Sequence, residues 1–139
     1  MPLNDAFFAA WTPRAQALLR IVTAYLFLVH GMSKLFGIPH VAAFDKLQLF
    51  SLIGVAGILE LVGGVLLLLG LFTRPVAFVL CGEMAFAYFI GHAGGGHVLV
   101  PMLNRGELAV LYCFVFLFFA AAGGGAWSLD AVRRRPAAA

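Results

Sequence analysis

The sequence predicts an all-α integral membrane protein: a four-helix bundle with both termini cytoplasmic. Three observations lead there. Of the 139 residues, 63% are hydrophobic and 11% charged, a balance outside the range of soluble domains. Four apolar runs are separated by turns rich in Gly, Pro or charge, which is the pattern of helices crossing a bilayer. Basic residues gather on the side that an even number of crossings gives to both termini, and this sets the orientation. One membrane domain, 1–139, accounts for the whole length. The net charge of +3 comes without a basic stripe interleaved with exposed aromatics, so a nucleic-acid partner is excluded and the lipid bilayer is the expected one.

The first predicted span covers about 18–36. Thr12-Pro13 reads as its start, with Thr12 as N-cap and Pro13 at the first helical position. The apolar run is too long for a signal-peptide core, and no Ala-x-Ala site follows it. Within it Arg20, Ala24, Phe27, Gly31 and Lys34 step by four and three, so they share one stripe, with His30 beside it. Gly37-Ile38-Pro39 breaks the helix. The loop 40–51 mixes Phe44, Leu47 and Phe50 with Asp45 and Lys46, as a short turn lying on a membrane would.

The second span, about 52–72, carries Glu60 roughly 12 Å from its first end, at 1.5 Å per residue. Gly57, Glu60 and Gly64 fall on one face, and the glycines allow another helix to approach. A lone carboxylate at that depth costs about 2.5 to 3.5 kcal/mol, so a compensating partner is required. Arg74 and Pro75 turn the chain into a third span, about 76–91. Its Glu83 lies roughly 10 Å deep, counted from the opposite face. His92 and His97 flank a glycine run, and their spacing matches no established metal site. Asn104, Arg105 and Glu107 lead into the fourth span, about 108–122, which Gly123 to Gly125 end. A basic tail, 131–139, contains Arg133, Arg134 and Arg135. Cys81 and Cys113 form no Cys-x-x-Cys pair and read as small buried hydrophobes.

Opposite charges at matching depth offset one another's insertion cost. The sequence therefore predicts Arg20 with Glu83 in the inner half, as a structural ion pair. It predicts Glu60 with His30 or Lys34 in the outer half, where His92, His97, Asn104, Arg105 and Glu107 also lie. That outer cluster holds both acid and base, and it is the candidate site. No metal is expected in it.

Four blocks carry a resemblance: His30-Gly-Met-Ser-Lys34-Leu-Phe-Gly37; Glu60-Leu-Val-Gly-Gly64 with Leu66-Leu-Leu-Leu-Gly70-Leu-Phe-Thr-Arg74; Asn104-Arg-Gly-Glu107-Leu-Ala; and Gly123-Gly-Gly-Ala-Trp-Ser128-Leu-Asp130. In this order they resemble the DoxX family, and Arg20 fits the same pattern. The resemblance implies a four-helix bundle of the bacterial cytoplasmic (inner) membrane. It also implies a redox association, since some members are similar to the membrane subunit of a thiosulfate:quinone oxidoreductase and others occur within membrane oxidoreductase complexes. The chain has no haem-ligand pair and no dinucleotide fingerprint. An electron carrier would be lipid-borne, such as a quinone, or would sit on a redox protein partner. Glu60, His30 and Lys34 are the candidate catalytic groups. Phe27, Glu107, Asn104, Arg105 and His92 are the candidate ligand-binding groups. Two other readings compete with a quinone-linked oxidoreductase subunit: an assembly or scaffold protein specified by buried ion pairs, and a small-solute or proton pathway. The glycine faces also allow a homo-oligomer.

Overall fold

The computed structural model describes residues 5–133. Arg134 and Arg135 of the basic tail lie outside the described residues. Among those described, all regular structure is helical. The four long helices are α1 (Asp5–Phe36), α2 (Leu52–Leu69), α3 (Thr73–Ala87) and α4 (Glu107–Ala122), and a short α5 (Leu129–Arg133) follows. Three segments are long and apolar enough to cross a membrane: α1, α2, and α3 with its continuation to Gly95. α4 is a shorter apolar helix of 16 residues.

The helices pack mainly as two pairs, α1 with α2 and α3 with α4. One core joins the pairs. Ala24 and Phe27 of α1, Leu67 of α2, Ala77, Leu80 and Met84 of α3, and Tyr112, Phe116 and Phe119 of α4 are buried together. Phe27 meets Phe116 edge-on, with centroids 4.8 Å apart. The outward faces stay apolar: Val22, Leu26, Val62, Phe78, Phe114 and Phe118 are all exposed. Such a surface belongs in lipid.

The α1–α2 seam follows the predicted faces. The buried positions of α2 are Gly54, Gly57, Glu60, Gly63, Gly64 and Leu67, one stripe of small residues around the acid. A Cβ on Gly31 would lie 2.5 Å from the Leu61 backbone N, and one on Gly64 would lie 3.0 Å from the Leu28 Cα. Backbones approach this closely only where side chains are missing.

Three boundaries differ from expectation. α1 begins well before Pro13, so Thr12 is not its N-cap; the Thr12 hydroxyl donates instead to Phe8 O at 2.8 Å. Proline is tolerated because this stretch is exposed, so neighbours do not force a straight helix. α2 stops at Leu69, where Gly70 takes a left-handed conformation (φ 65°) that few other residues adopt cheaply. α3 starts at Thr73 because Asp130 caps it: the Asp130 carboxylate accepts from Phe72 N at 2.9 Å and Thr73 N at 2.8 Å.

Candidate functional site

Depth along the helices decides which polar groups meet. Glu60 is eight residues into α2, about 12 Å from its first end. Glu83 is ten residues into α3, about 15 Å from the opposite end, which brings it to nearly the same level. Lys34 is in the last turn of α1. Arg20 is fourteen residues earlier, about 21 Å further down the helix.

Arg20 and Glu83 are accordingly not partners. The predicted inner pair rested on starting the third span at 76; the capped start at Thr73 moves Glu83 away from Arg20's level. Arg20 is fully buried. Its guanidinium donates to backbone carbonyls of Gly124 (2.9 Å), Leu68 (2.7 Å), Trp127 (2.8 Å) and Leu67. The carbonyls of α2's last turn are the negative end of that helix, so a buried cation suits them, although Leu67 O also accepts from Gly70 N at 3.0 Å. Asp130 adds a Coulombic attraction to Arg20. Arg20 thus staples α1 to the end of α2 and to the 123–128 loop. This role was hidden in the sequence because the acceptors are main-chain atoms.

The outer cluster is partly assembled. Lys34 Nζ lies 2.6 Å from Glu60 Oε1, and both side chains are largely buried, at 13% and 5% exposure. The Lys34 ammonium also sits 5.9 Å from the Phe44 ring centroid, a cation–π contact. The loop 40–51 therefore covers the pair. Glu60 Oε2 and both carboxylate oxygens of Glu83 are buried without a hydrogen-bond partner. Orphaned acceptors in an apolar interior are costly, so a cluster of three calls for an explanation.

Lys34 and Glu83 line a cavity of about 450 Å³ between α2 and α3, whereas Glu60 is outside its lining and is tied to it through Lys34. Leu52, Ala56, Leu59, Val79, Phe86 and Ile90 form its walls, and Lys34, Glu83 and His92 are its polar groups. Gly82, also on the wall, has nothing within 4 Å of where a Cβ would project. At its upper end α3 widens into a π-helical turn, Tyr88–His92, a distortion that often accompanies function. This turn brings Ile90, Gly91 and His92 to the cavity wall. His92 Nδ1 lies 3.2 Å from Asn104 O. A carbonyl only accepts, so Nδ1 carries the hydrogen, and in the neutral ring Nε2 is an acceptor.

The remaining predicted residues lie elsewhere. His30 is exposed on α1 and is not paired with Glu60; its position beside the buried stripe turns it outward. Phe27 is in the core against Tyr112 and Phe116, away from the cavity lining. Arg105 and Glu107 are exposed and border a separate surface depression. Asn104 organises the loop: its amide donates to Tyr88 Oη (3.1 Å) and His97 O (3.3 Å), and its Oδ1 accepts from Gly106 N (2.9 Å). Among the described residues, no group of three His, Cys, Asp or Glu could hold a metal ion. Cys81 and Cys113, remote in sequence, meet with their sulfurs 3.6 Å apart.

The sequence model of DoxX matches residues 15–93, which contain Arg20, Lys34, Glu60, Glu83 and the π turn. The chain belongs to the DoxX family. As a DoxX protein with apolar helices of crossing length, it is a membrane protein. It is 46% identical to an uncharacterized protein of Haemophilus influenzae over 127 residues, covering 86% of this chain and 91% of that one. It is 31% identical over 120 residues to CatD of Bacillus subtilis (strain 168), a protein provisionally named an oxidoreductase, covering 81% of this chain and 82% of CatD. No solved structure matches it.

Proposed function

We propose that this DoxX protein is a quinone-linked redox subunit of the bacterial inner membrane that works with a protein partner. The observation that carries the reading is the cavity between α2 and α3: an apolar slot of about 450 Å³ whose polar side holds Lys34, paired with the buried Glu60 behind it, and an unpartnered Glu83. The name of CatD supports the redox class. The helices cross four times in this reading, with α4 as the fourth span. Arg14, Arg74 and Arg133 then share the cytoplasmic side with both termini, opposite Lys46 and Arg105.

A quinone ring needs an apolar slot with a donor and an acceptor near one interface. When bound, it supplies two-electron chemistry that also takes up two protons. The chain's residues fit such a ring. Lys34 has three N–H donors, and Glu60 engages one at 2.6 Å. Another can orient a carbonyl oxygen. Glu83 faces the same slot and can give or take a proton. One cation facing two acids makes the trio neutral when one of the acids holds a proton, which limits the cost of keeping it in hydrocarbon. His92 connects the slot to the loop through Asn104, and its Nε2 can pass a proton onward.

The scaffold reading has its own support in Arg20, whose bonds are all to structural carbonyls. That network lies at the other end of the molecule and does not explain the orphaned acids. A fluorophore on the cavity wall separates the two readings. Phe86→Trp, in a chain whose Trp11 and Trp127 are replaced by Phe, should show saturable quenching by a short-chain benzoquinone. Glu83→Leu should weaken that binding about tenfold while the folded yield holds. Quenching that rises linearly without saturation, as for a quinone dissolved in lipid, would refute the quinone site. A collapse of folded yield in Glu83→Leu would favour the scaffold.

A further inference from the structure

The contact between the two cysteines lies outside the cavity between α2 and α3. Cys81 is eight residues into α3 and Cys113 six residues into α4, and both thiols are free and half-buried. Their sulfurs are 3.6 Å apart, which is van der Waals contact. Both pack against the core cluster that contains Leu80, Met84, Tyr112 and Phe116, so the two helices hold the thiols together. A disulfide needs the sulfurs about 1.5 Å closer, at about 2.05 Å. Cys113 also borders an apolar groove of about 360 Å³ formed with Ala85, Tyr88, Phe89, Val98 and Phe114. Cys81 does not line that groove. Cys113 is therefore open to a reagent that enters this groove from lipid, and Cys81, equally half-buried, is in contact with it.

We propose that Cys81 and Cys113 are a redox-responsive tie, a modification site that cross-links α3 to α4 when a lipid-soluble two-electron oxidant enters the groove. An azodicarboxamide illustrates the balance. The Cys113 sulfur adds to one nitrogen of the N=N bond, and its hydrogen goes to the other nitrogen. The Cys81 sulfur then attacks the Cys113 sulfur, the S–N bond breaks, and the Cys81 proton goes to the leaving nitrogen. Two thiols are oxidised to one disulfide, and the azo group is reduced to a hydrazine. The location within apolar helices admits apolar oxidants and keeps out charged ones, which would have to shed their hydration to enter hydrocarbon. In the cross-linked state α3, which carries Glu83, is fixed to α4 from the face away from the cavity. The tie does not depend on the quinone reading, since it follows from the contact of the two thiols alone.

The test uses the full chain in liposomes, treated with diamide beside glutathione as a reagent control. The protein is then denatured and alkylated, and its thiols are mapped by mass spectrometry. Both thiols should disappear together, a peptide joining Cys81 to Cys113 should appear in monomeric protein, and dithiothreitol should restore both. Cys81→Ser should trap an adduct at Cys113 with no cross-link within the chain. The proposal is overturned if both thiols stay alkylatable while glutathione is fully oxidised, or if disulfides form between chains only.

Discussion

Arg20→Met removes the staple and leaves the shape of the side chain nearly intact. Four backbone carbonyls lose a charged donor: Leu67, Leu68, Gly124 and Trp127. Hydrogen bonds within membrane proteins contribute about 0.6 kcal/mol on average and up to about 1.7. Four of them therefore bracket a loss of about 2.5 to 7 kcal/mol. Two terms pull the value down: removing a buried cation recovers its desolvation cost, and the loop carbonyls can rotate towards water. A loss of about 3 kcal/mol is the expected net result. Arg20→Lys keeps the charge, but its single nitrogen cannot reach carbonyls on both sides of the fork, so it should recover less than half. The assay is unfolding of purified protein by SDS in mixed micelles, followed by circular dichroism. If Arg20→Met is as stable as the parent or more so, the carbonyl network is not what holds the 123–128 loop and α2 to α1.

Other expected outcomes concern packing, capping and the site. Gly31→Leu should destabilise by about 1 to 3 kcal/mol in the same assay, because even a Cβ there would meet the Leu61 backbone at 2.5 Å. Asp130→Ala should cost about 1 to 2 kcal/mol through loss of the cap on Phe72 N and Thr73 N, and protease nicking at the 70–72 turn should rise. Lys34→Met leaves Glu60 and Glu83 facing each other without a cation, so folded yield should fall severalfold. Adding both Glu60→Leu and Glu83→Leu to Lys34→Met should recover most of that yield, because no unpaired charge then remains.

Much of the fold was legible in the sequence. The stripe of Arg20, Ala24, Phe27 and Gly31 and the face of Gly57, Glu60 and Gly64 are the buried faces of α1 and α2. Both follow from helical periodicity and from the need to hide polarity in an apolar chain. The Lys34 and Glu60 partnership was legible as one of two options, and the exposure of His30 chose between them. The pairing of Arg20 with Glu83 was not sound. It assumed that a buried cation seeks an acid, whereas helix-end carbonyls serve as well. It also depended on where α3 begins, and the cap from Asp130, 57 residues from Thr73 in the chain, sets that start. The cavity and the Cys81–Cys113 contact depend on how the α1–α2 and α3–α4 pairs are placed side by side, which no local pattern encodes.

The most direct measurement is native mass spectrometry of the protein released from quinone-containing bacterial membranes in mild detergent, compared with Gly82→Phe. The new ring would project from the cavity wall where nothing lies within 4 Å, so it fills the slot without disturbing the helices. A quinone site in this slot predicts one quinone retained by the parent and none by a folded Gly82→Phe. A parent that carries no quinone, or a variant that retains it equally, would contradict it.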